Sequence, residues 1–109
     1  MKCLVTGCAG FIGSNLVDRL LSMGYVVVGL DNLSTGKMKF IETALDNEKF
    51  NFFECDLYND DINKYFADIE VVFHLAANAD VRFGTNHPRR DLEQNTIVTY
   101  NVLESMRAN

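Results

Sequence analysis

Three glycines spaced three residues apart, at positions 7, 10 and 13, constrain the fold of this chain more than any other feature. They lie between a short apolar run, Cys3-Leu4-Val5, and an amphipathic stretch that begins at Phe11. A strand that turns through glycines into a helix exposes backbone N–H groups at the positive end of the helix dipole, where phosphate binds. The first glycine permits a tight turn, the second admits a pyrophosphate, and the third lets the helix pack on the strand. The pattern therefore predicts a phosphate-binding strand–turn–helix unit.

The rest of the chain alternates apolar runs with helical patterns. We expect strands at 2–5, 25–30, 50–55 and 71–75, and helices at 11–23, about 38–45, about 62–69 and 91–107. The segment 76–90, which contains the one proline, is expected to be a long loop. Such alternation indicates a parallel sheet with right-handed crossovers. The predicted fold is a Rossmann-like three-layer α/β/α domain covering residues 1–109, with strand order 3-2-1-4 and truncated after about four strands.

Apolar spacing also predicts which helix faces are buried. In the first helix the expected stripe contains Ile12, Leu16, Leu20 and Met23, widened by Val17 and Leu21. In the last helix it contains Leu92, Thr96, Thr99, Leu103 and Met106, with Val98 and Val102 beside it. Apolar residues on two sides of the last helix fit either a dimer contact or burial on both sides within one subunit, and self-association is the expected outcome.

Composition excludes several classes of protein. The 109 residues are 48% apolar and 23% charged, which is typical of globular domains, and the net charge of −5 argues against nucleic acid as a partner. The longest apolar run, Tyr25 to Leu30, is far too short to cross a membrane. Three cysteines without a C-x-x-C spacing indicate small buried thiols in a reducing cytoplasm. We expect no metal site.

Asp31 follows the second predicted strand, eighteen residues after Gly13. A carboxylate at this position can accept hydrogen bonds from adenosine ribose hydroxyls and would repel a 2′-phosphate, which favours NAD over NADP. Two alternatives remain: Asp31 could simply start a loop, and Lys37 and Lys39 could accept a 2′-phosphate.

Two further strand ends carry candidate ligand contacts, because ligands bind at the carboxyl ends of strands in such sheets. Asp56 follows the third strand and is expected beside the adenine pocket. Ala76 and Ala77 follow the fourth, where small residues allow either a nicotinamide ribose or a packed helix to come close. His74 is expected to be a core or strand-end residue rather than a catalytic base, and His87 has no partner at a metal-ligand spacing.

Five motifs give the chain a family resemblance that spans its whole length. Residues 6–13 match T-G-x-x-G-F-I-G, 31–36 match D-N-L-S-x-G, 56–57 match D-L, 74–77 match H-x-A-A, and 95–104 match N-x-x-x-T-x-N-V-L-E. The chain resembles the extended short-chain dehydrogenases/reductases, and within them the nucleotide-sugar epimerase and dehydratase branch.

The resemblance implies a role for each matching residue in binding NAD. The pyrophosphate would be held by Gly7, Gly10, Phe11, Ile12 and Gly13. The adenosine ribose would be bound by Asp31, surrounded by Asn32, Ser34 and Gly36, and adenine would lie between Asp56 and Leu57. The nicotinamide side would be lined by Leu75, Ala76, Ala77 and Ala79, with Asn95 near the cofactor and the role of Arg82 open.

The activity implied by the resemblance is 4-epimerisation of a nucleotide sugar, interconverting UDP-glucose and UDP-galactose by transient hydride transfer to bound NAD, in galactose metabolism. A tyrosine in a Y-x-x-x-K pair does this chemistry in the family, because the lysine cation lowers the phenol pKa. The four tyrosines of this sequence lack that lysine, so we expect an NAD-binding portion without catalytic residues. The alternatives are a dTDP-glucose 4,6-dehydratase, another nucleotide-sugar NAD enzyme, or a stand-alone nucleotide-binding module.

Overall fold

Four parallel strands form the centre of the domain. A computed structural model describes residues 1–78 and 81–109, except for the side chains of 81–83. The strands are β1 (Lys2–Thr6), β2 (Val26–Asp31), β3 (Phe50–Glu54) and β4 (Val71–His74). Their order in the sheet is β3-β2-β1-β4, which confirms the predicted parallel topology. Each strand lies within a residue or so of its expected position.

Helices connect the strands and cover both faces of the sheet. The first is α1 (Phe11–Ser22), and a 3₁₀ turn (Met38–Ile41) leads into α2 (Glu42–Leu45). A second 3₁₀ turn (Asn63–Phe66) precedes β4, and α3 (Val81–Asn86) follows it. The final segment runs without a break through α4 (Pro88–Asp91), a π-helix (Leu92–Ile97) and α5 (Val98–Ala108).

The predicted loop at 76–90 is wrong over most of its length, because α3 and α4 occupy 81–86 and 88–91. Pro88 stands in the first turn of α4, where its fixed φ suits a helix and its missing N–H would have no helical partner. The six residues of α3 are too few to show a helical period in the sequence. The proline therefore marks the start of the last helical segment, three residues earlier than expected.

The core has two halves, one on each face of the sheet. Because strand side chains alternate, the fully buried neighbours Leu4 and Val5 of β1 point to opposite layers. Val5 packs in the cluster that includes Val17 of α1, and Leu4 packs in the cluster that includes Phe66 and Val102. This arrangement is the three-layer α/β/α architecture expected from the sequence.

The buried face of α1 differs from the expected one. Ile12 and Met23 are 70% and 50% exposed, whereas Gly13, Val17 and Leu20 are buried. The buried positions keep the helical spacing of four and three, but the face is turned by about one residue. Glycine has no hydropathic signal, and Gly13 is nevertheless packed against the backbone of Gly7, directly after β1.

The last helix is also turned relative to the prediction. Val98, Val102 and Ser105 are its buried residues in α5, while Leu103 and Met106 are 57% and 43% exposed. The valines expected beside the stripe therefore form its core contact. The remaining apolar residues form an exposed surface, which we call the outer face of the last helix; it contains Leu92, Tyr100, Leu103 and Met106.

The sheet register brings the strand ends to one level. Thr6 at the end of β1 lies opposite Leu30 of β2 and His74 of β4, and Asp31 lies opposite Glu54 of β3. All four strands are parallel, so their carboxyl ends and the turns that follow them meet at one edge of the sheet. Among the described residues, no helix is long and apolar enough to cross a membrane.

Candidate dinucleotide-binding site

A cleft of about 410 Å³ opens at the carboxyl edge of the sheet. It brings together most of the predicted site residues, and its lining contains Gly7, Gly10, Phe11, Ile12, Gly13, Asp31, Asn32, Ser34, Thr35, Gly36, Cys55, Leu57, Leu75, Ala76, Ala77 and Gln94. Asp56 and Asn95 were predicted but are not among these residues, and Ala79 lies outside the described part of the chain. The side chain of Arg82 lies outside it as well.

The glycine turn leaves no room for side chains where backbone segments meet. Gly7 has a φ of +70°, and its N–H donates to the carbonyl of Leu30 at 2.8 Å. A Cβ on Gly7 would lie 2.9 Å from the backbone nitrogen of Ala76, and one on Gly13 would lie 2.0 Å from the carbonyl oxygen of Gly7. These glycines are therefore needed to bring β1, α1 and the end of β4 together.

The amino end of α1 lines the cleft. Gly10 is the N-cap residue and supplies no side-chain cap, and the first turn contains no acidic residue. The N–H groups of Phe11, Ile12 and Gly13 have no partner within the helix, because an α-helix leaves its first N–H groups unpaired. The arrangement is suited to an anion, since no carboxylate competes for these donors.

Asp31 is buried at the end of β2, with 9% of its surface exposed. Its Oδ2 accepts the N–H of Ala9 at 2.9 Å, and its Oδ1 accepts the N–H of Leu33 at 2.8 Å. An ionised carboxylate has about four acceptor positions, so about two remain for a ligand hydroxyl. Asp31 therefore links the glycine turn to the following loop and lines the cleft at the same time.

The loop after Asp31 packs directly on the glycine turn. A Cβ on Gly36 would lie 3.0 Å from backbone and side-chain atoms of Ala9, and the N–H of Lys37 donates to the carbonyl of Ala9 at 2.9 Å. Asn32 accepts the N–H of Ser34 at 3.0 Å. The two segments that carry the strongest sequence motifs thus form one wall of the cleft.

The Asp56 carboxylate is hydrogen-bonded within the turn that contains it. Its carboxylate accepts the N–H of Tyr58 at 2.8 Å and the side-chain amide of Asn59 at 2.8 Å. Burial pulls the pKa of Asp56 upward, but these hydrogen bonds, a further one from the N–H of Asn59 and the Arg90 charge together hold the pKa below its ordinary value. The neighbours Cys55 and Leu57 line the cleft instead. β3 ends at Glu54, one residue before the end predicted from the sequence. The first residue after the strand is therefore Cys55 and not Asp56.

All three cysteines are free and buried, as the sequence predicts. Burial raises the pKa of the Cys8 thiol to about 12, and the nearby Asp31 carboxylate adds to the increase. Burial, followed by the carboxylates of Asp60 and Asp56, raises the pKa of Cys55 to about 11. These thiols are protonated at neutral pH and fill space as small apolar groups. Among the described residues, no group of three His, Cys, Asp or Glu side chains could hold a metal ion.

The end of β4 is tied to β1 through the Thr6 hydroxyl. Its Oγ1 accepts the N–H of Leu75 at 3.0 Å and that of Ala76 at 3.1 Å, and it lies 2.7 Å from Nδ1 of His74. Thr6 is fully buried, and His74 is half-buried at the strand end. Burial lowers the pKa of His74.

Asn95 holds the loop after β4 rather than lining the cleft. Its Oδ1 accepts the N–H of Asn78 at 2.7 Å, and its Nδ2 donates to the carbonyl of Asn78 at 3.3 Å. Its neighbour Gln94 lines the cleft, although it stands just before the motif at 95–104 and no sequence signal marks it. Both residues stand in the π-helix, whose i→i+5 hydrogen bonds change the helical register and so cannot be read from an α-helical period. Thr35, also missed, lies between the predicted Ser34 and Gly36.

A glycine turn, a helix amino end and an acidic strand end around one crevice of a parallel sheet define a Rossmann-like nucleotide-binding domain. Residues 3–109 match the NAD dependent epimerase/dehydratase family. The chain belongs to that family, which confirms the resemblance seen in the sequence.

Relatives and solved structures agree with this assignment. The chain is 43% identical over 109 residues to a UDP-glucose 4-epimerase of Mycolicibacterium smegmatis, covering 98% of this chain and 35% of that protein. The solved UDP-glucuronic acid 4-epimerase of Bacillus cereus, in complex with UDP-glucuronic acid and NAD, has a TM-score of 0.92 at 39% identity and covers 100% of this chain and 37% of that one. A Thermus thermophilus UDP-glucose 4-epimerase in complex with NAD has a TM-score of 0.86 at 38% identity, and the match covers 99% of this chain and 34% of that one. The chain thus spans about a third of the length of these proteins.

Proposed function

We propose that residues 1–109 form the N-terminal part of the NAD-binding domain of a nucleotide-sugar 4-epimerase. The observation that carries the proposal is the pairing, in one cleft, of the α1 amino end with the Asp31 carboxylate. The first is suited to a pyrophosphate and the second to a ribose diol. The NAD bound in two solved members of the same fold supports this choice of ligand.

The residues present fit NAD. The unpaired N–H groups of Phe11, Ile12 and Gly13 would hold the pyrophosphate, and the remaining acceptor positions of Asp31 would bind the adenosine ribose. Cys55 and Leu57 offer an apolar surface for adenine, and Ala76 and Ala77 leave room for the nicotinamide end. Asp56 and Asn95 would act by holding the turns beside the ligand, since their side chains bond to neighbouring chain segments.

We infer that the whole protein interconverts UDP-glucose and UDP-galactose, for which bound NAD supplies a transient hydride acceptor. The similar proteins of Mycolicibacterium smegmatis and Thermus thermophilus are both UDP-glucose 4-epimerases, which supports epimerisation over the dehydratase alternative. The residues at the fourth position after Tyr25, Tyr58, Tyr65 and Tyr100 are Gly29, Ile62, Ile69 and Glu104. The proton-transferring Tyr–Lys pair would therefore lie in a part of the protein that this sequence does not include.

A calorimetric titration of the full-length protein with NAD and with NADP tests the cofactor assignment. We expect NAD to bind at least about tenfold more tightly than NADP, because the buried Asp31 carboxylate would repel a 2′-phosphate. Equal affinities, or no binding of NAD, would contradict the assignment. An assay of the same protein with UDP-glucose separates the alternatives: NAD binding without formation of UDP-galactose would favour another nucleotide-sugar enzyme or a binding module.

We also propose that the protein self-associates through the outer face of the last helix. The exposed fractions of Tyr100 (62%) and Leu103 (57%) support this, because together with Leu92 and Met106 they form one exposed apolar surface, and a surface of this kind marks an interaction site. Leu103→Glu is expected to shift the sedimentation coefficient toward that of a monomer, whereas Met38→Glu, at an exposed residue preceding α2, should leave it unchanged. A wild-type protein that sediments as a monomer at high concentration would contradict this proposal.

Three free buried thiols support a reducing, cytoplasmic compartment.

A further inference from the structure

His74 lies in the middle of a chain of hydrogen bonds that crosses from β1 to the last helix. Its Nδ1 is 2.7 Å from Oγ1 of Thr6, and its Nε2 is 3.1 Å from Oγ1 of Thr99. The Thr99 hydroxyl in turn donates to the carbonyl of Asn95 at 2.6 Å. The chain thus joins residues that are distant in sequence and stand on three elements: β1, β4 and the last helical segment.

The direction of every bond in this chain follows from the Thr6 hydroxyl. A hydroxyl has one hydrogen and two acceptor positions, and both acceptor positions of Thr6 face the N–H groups of Leu75 and Ala76. The Leu75 N–H is shared with the Thr6 carbonyl, at the longer distance of 3.3 Å. The Thr6 hydrogen must therefore point to Nδ1 of His74, which then carries no proton. The proton of the neutral ring is on Nε2, which donates to Thr99, and the Thr99 hydrogen is left for the carbonyl of Asn95.

We propose that His74, held as the neutral Nε2–H tautomer, is a positioning residue that fixes the wall formed by residues 75–77 of the cleft. This role rests on the proposed binding of NAD. The bond chain begins at Thr6, which holds the backbone of Ala76, and ends at Asn95, whose side chain bonds the backbone of Asn78. The wall is thereby attached on both sides of Ala77.

The wall needs these bonds because its side chains anchor it weakly. Leu75 is 40% exposed and Ala77 is exposed, so little apolar surface is buried there. Ala76 packs against the core cluster that contains Leu4, and its backbone is in close contact with Gly7, so the position of this backbone decides whether the wall keeps its shape. A protonated His74 would direct a second N–H at the Thr6 oxygen, whose acceptor positions are already occupied. The lowered pKa of His74 agrees with a ring that stays neutral.

Graded substitutions in the full-length protein test the positioning role by NAD titration. His74→Asn keeps an acceptor near Thr6 but loses the hydrogen bond to Thr99. It should raise the NAD dissociation constant about fivefold, which is the change in affinity expected for the loss of one hydrogen bond. His74→Ala loses both links and should raise it roughly 25-fold. His87→Asn, at an exposed histidine, should leave it unchanged.

A second pair of variants covers the case in which the His74 variants fail to fold. Thr99→Val removes the hydroxyl at constant shape and should weaken NAD binding about fivefold, whereas Thr99→Ser should bind like the wild type. Both dissociation constants are measured well below the melting temperatures, so a loss of stability alone does not change them. Equal affinities for wild type, Thr99→Val and His74→Ala would contradict the positioning role.

The tautomer is read directly by ¹⁵N NMR of histidine-labelled protein, with His74→Asn used to assign the resonances. We expect the His74 Nε2 to give the shift of a protonated nitrogen and Nδ1 that of an unprotonated one. An Nδ1–H tautomer, or a mixture of the two, would contradict the bond directions and the proposal. If the wild type binds no NAD, both the proposed function and the positioning role are wrong; if it binds NAD and the variants bind equally well, only the positioning role is wrong.

Discussion

Replacing Gly13 with alanine is expected to destabilise the domain by about 3 kcal/mol or more, the upper range for overpacking a core. The added Cβ would lie 2.0 Å from the carbonyl oxygen of Gly7 and 2.9 Å from its carbonyl carbon. Backbone atoms cannot rotate away as a side chain can, so α1 would have to move off β1. Chemical unfolding followed by circular dichroism measures the loss, which is a large part of the stability of a typical domain.

Gly10→Ala is the matched control in the same turn. Its Cβ would be 3.4 Å from the nearest atom, and Gly10 has a φ of −80° that any residue can adopt. We expect a loss within about 1 kcal/mol, the difference between glycine and alanine at a helix N-cap. Equal losses for the two variants would mean that Gly13 does not bring α1 and β1 into contact as the structure has it.

Asp31→Ala is expected to raise the NAD dissociation constant by about 10- to 100-fold, the effect of losing a hydrogen bond to a charged group. NADP affinity should fall less, because the repulsion of a 2′-phosphate is lost together with the ribose contact. The preference for NAD over NADP would therefore shrink. Parallel titrations with both dinucleotides measure this change directly.

The same substitution should also lower stability, because Asp31 bonds protein groups as well. The N–H groups of Ala9 and Leu33 would lose their acceptor, at about 1–3 kcal/mol for each that stays buried and unpaired. Asp46→Ala, which removes an exposed carboxylate after α2, serves as the control for both measurements. An Asp31→Ala protein that keeps the NAD preference of the wild type would show that this carboxylate does not select the cofactor.

The topology and most of the cleft could be predicted because they depend on local signals. Glycines at 7, 10 and 13 mark the turn, and the continuous apolar run before Asp31 predicts a strand that is buried on both faces. Parallel strands then bring their carboxyl ends to one edge, whatever the details of the loops. The cleft-lining glycines, Asp31 and the alanines after β4 all follow from these few facts.

The predictions that missed concern orientation, which depends on contacts between distant segments. Gly13 is buried because it meets the Gly7 carbonyl, a contact that hydropathy does not record. Cys55 faces the cleft because β3 ends one residue earlier than its apolar run. Gln94, rather than Asn95, lines the cleft in a π-helix, and a pattern analysis that assumes the α-helical period cannot identify that turn.

The central position of β1 has a consequence for the order in which the cleft forms during folding. Cys3 of β1 pairs with Val27 across 24 residues of chain, but with Val71 across 68. Closing the longer loop costs about 0.9 kcal/mol more in chain entropy. We therefore expect the glycine turn and the Asp31 wall to assemble before the opposite wall, although the two halves of the cleft are adjacent in space.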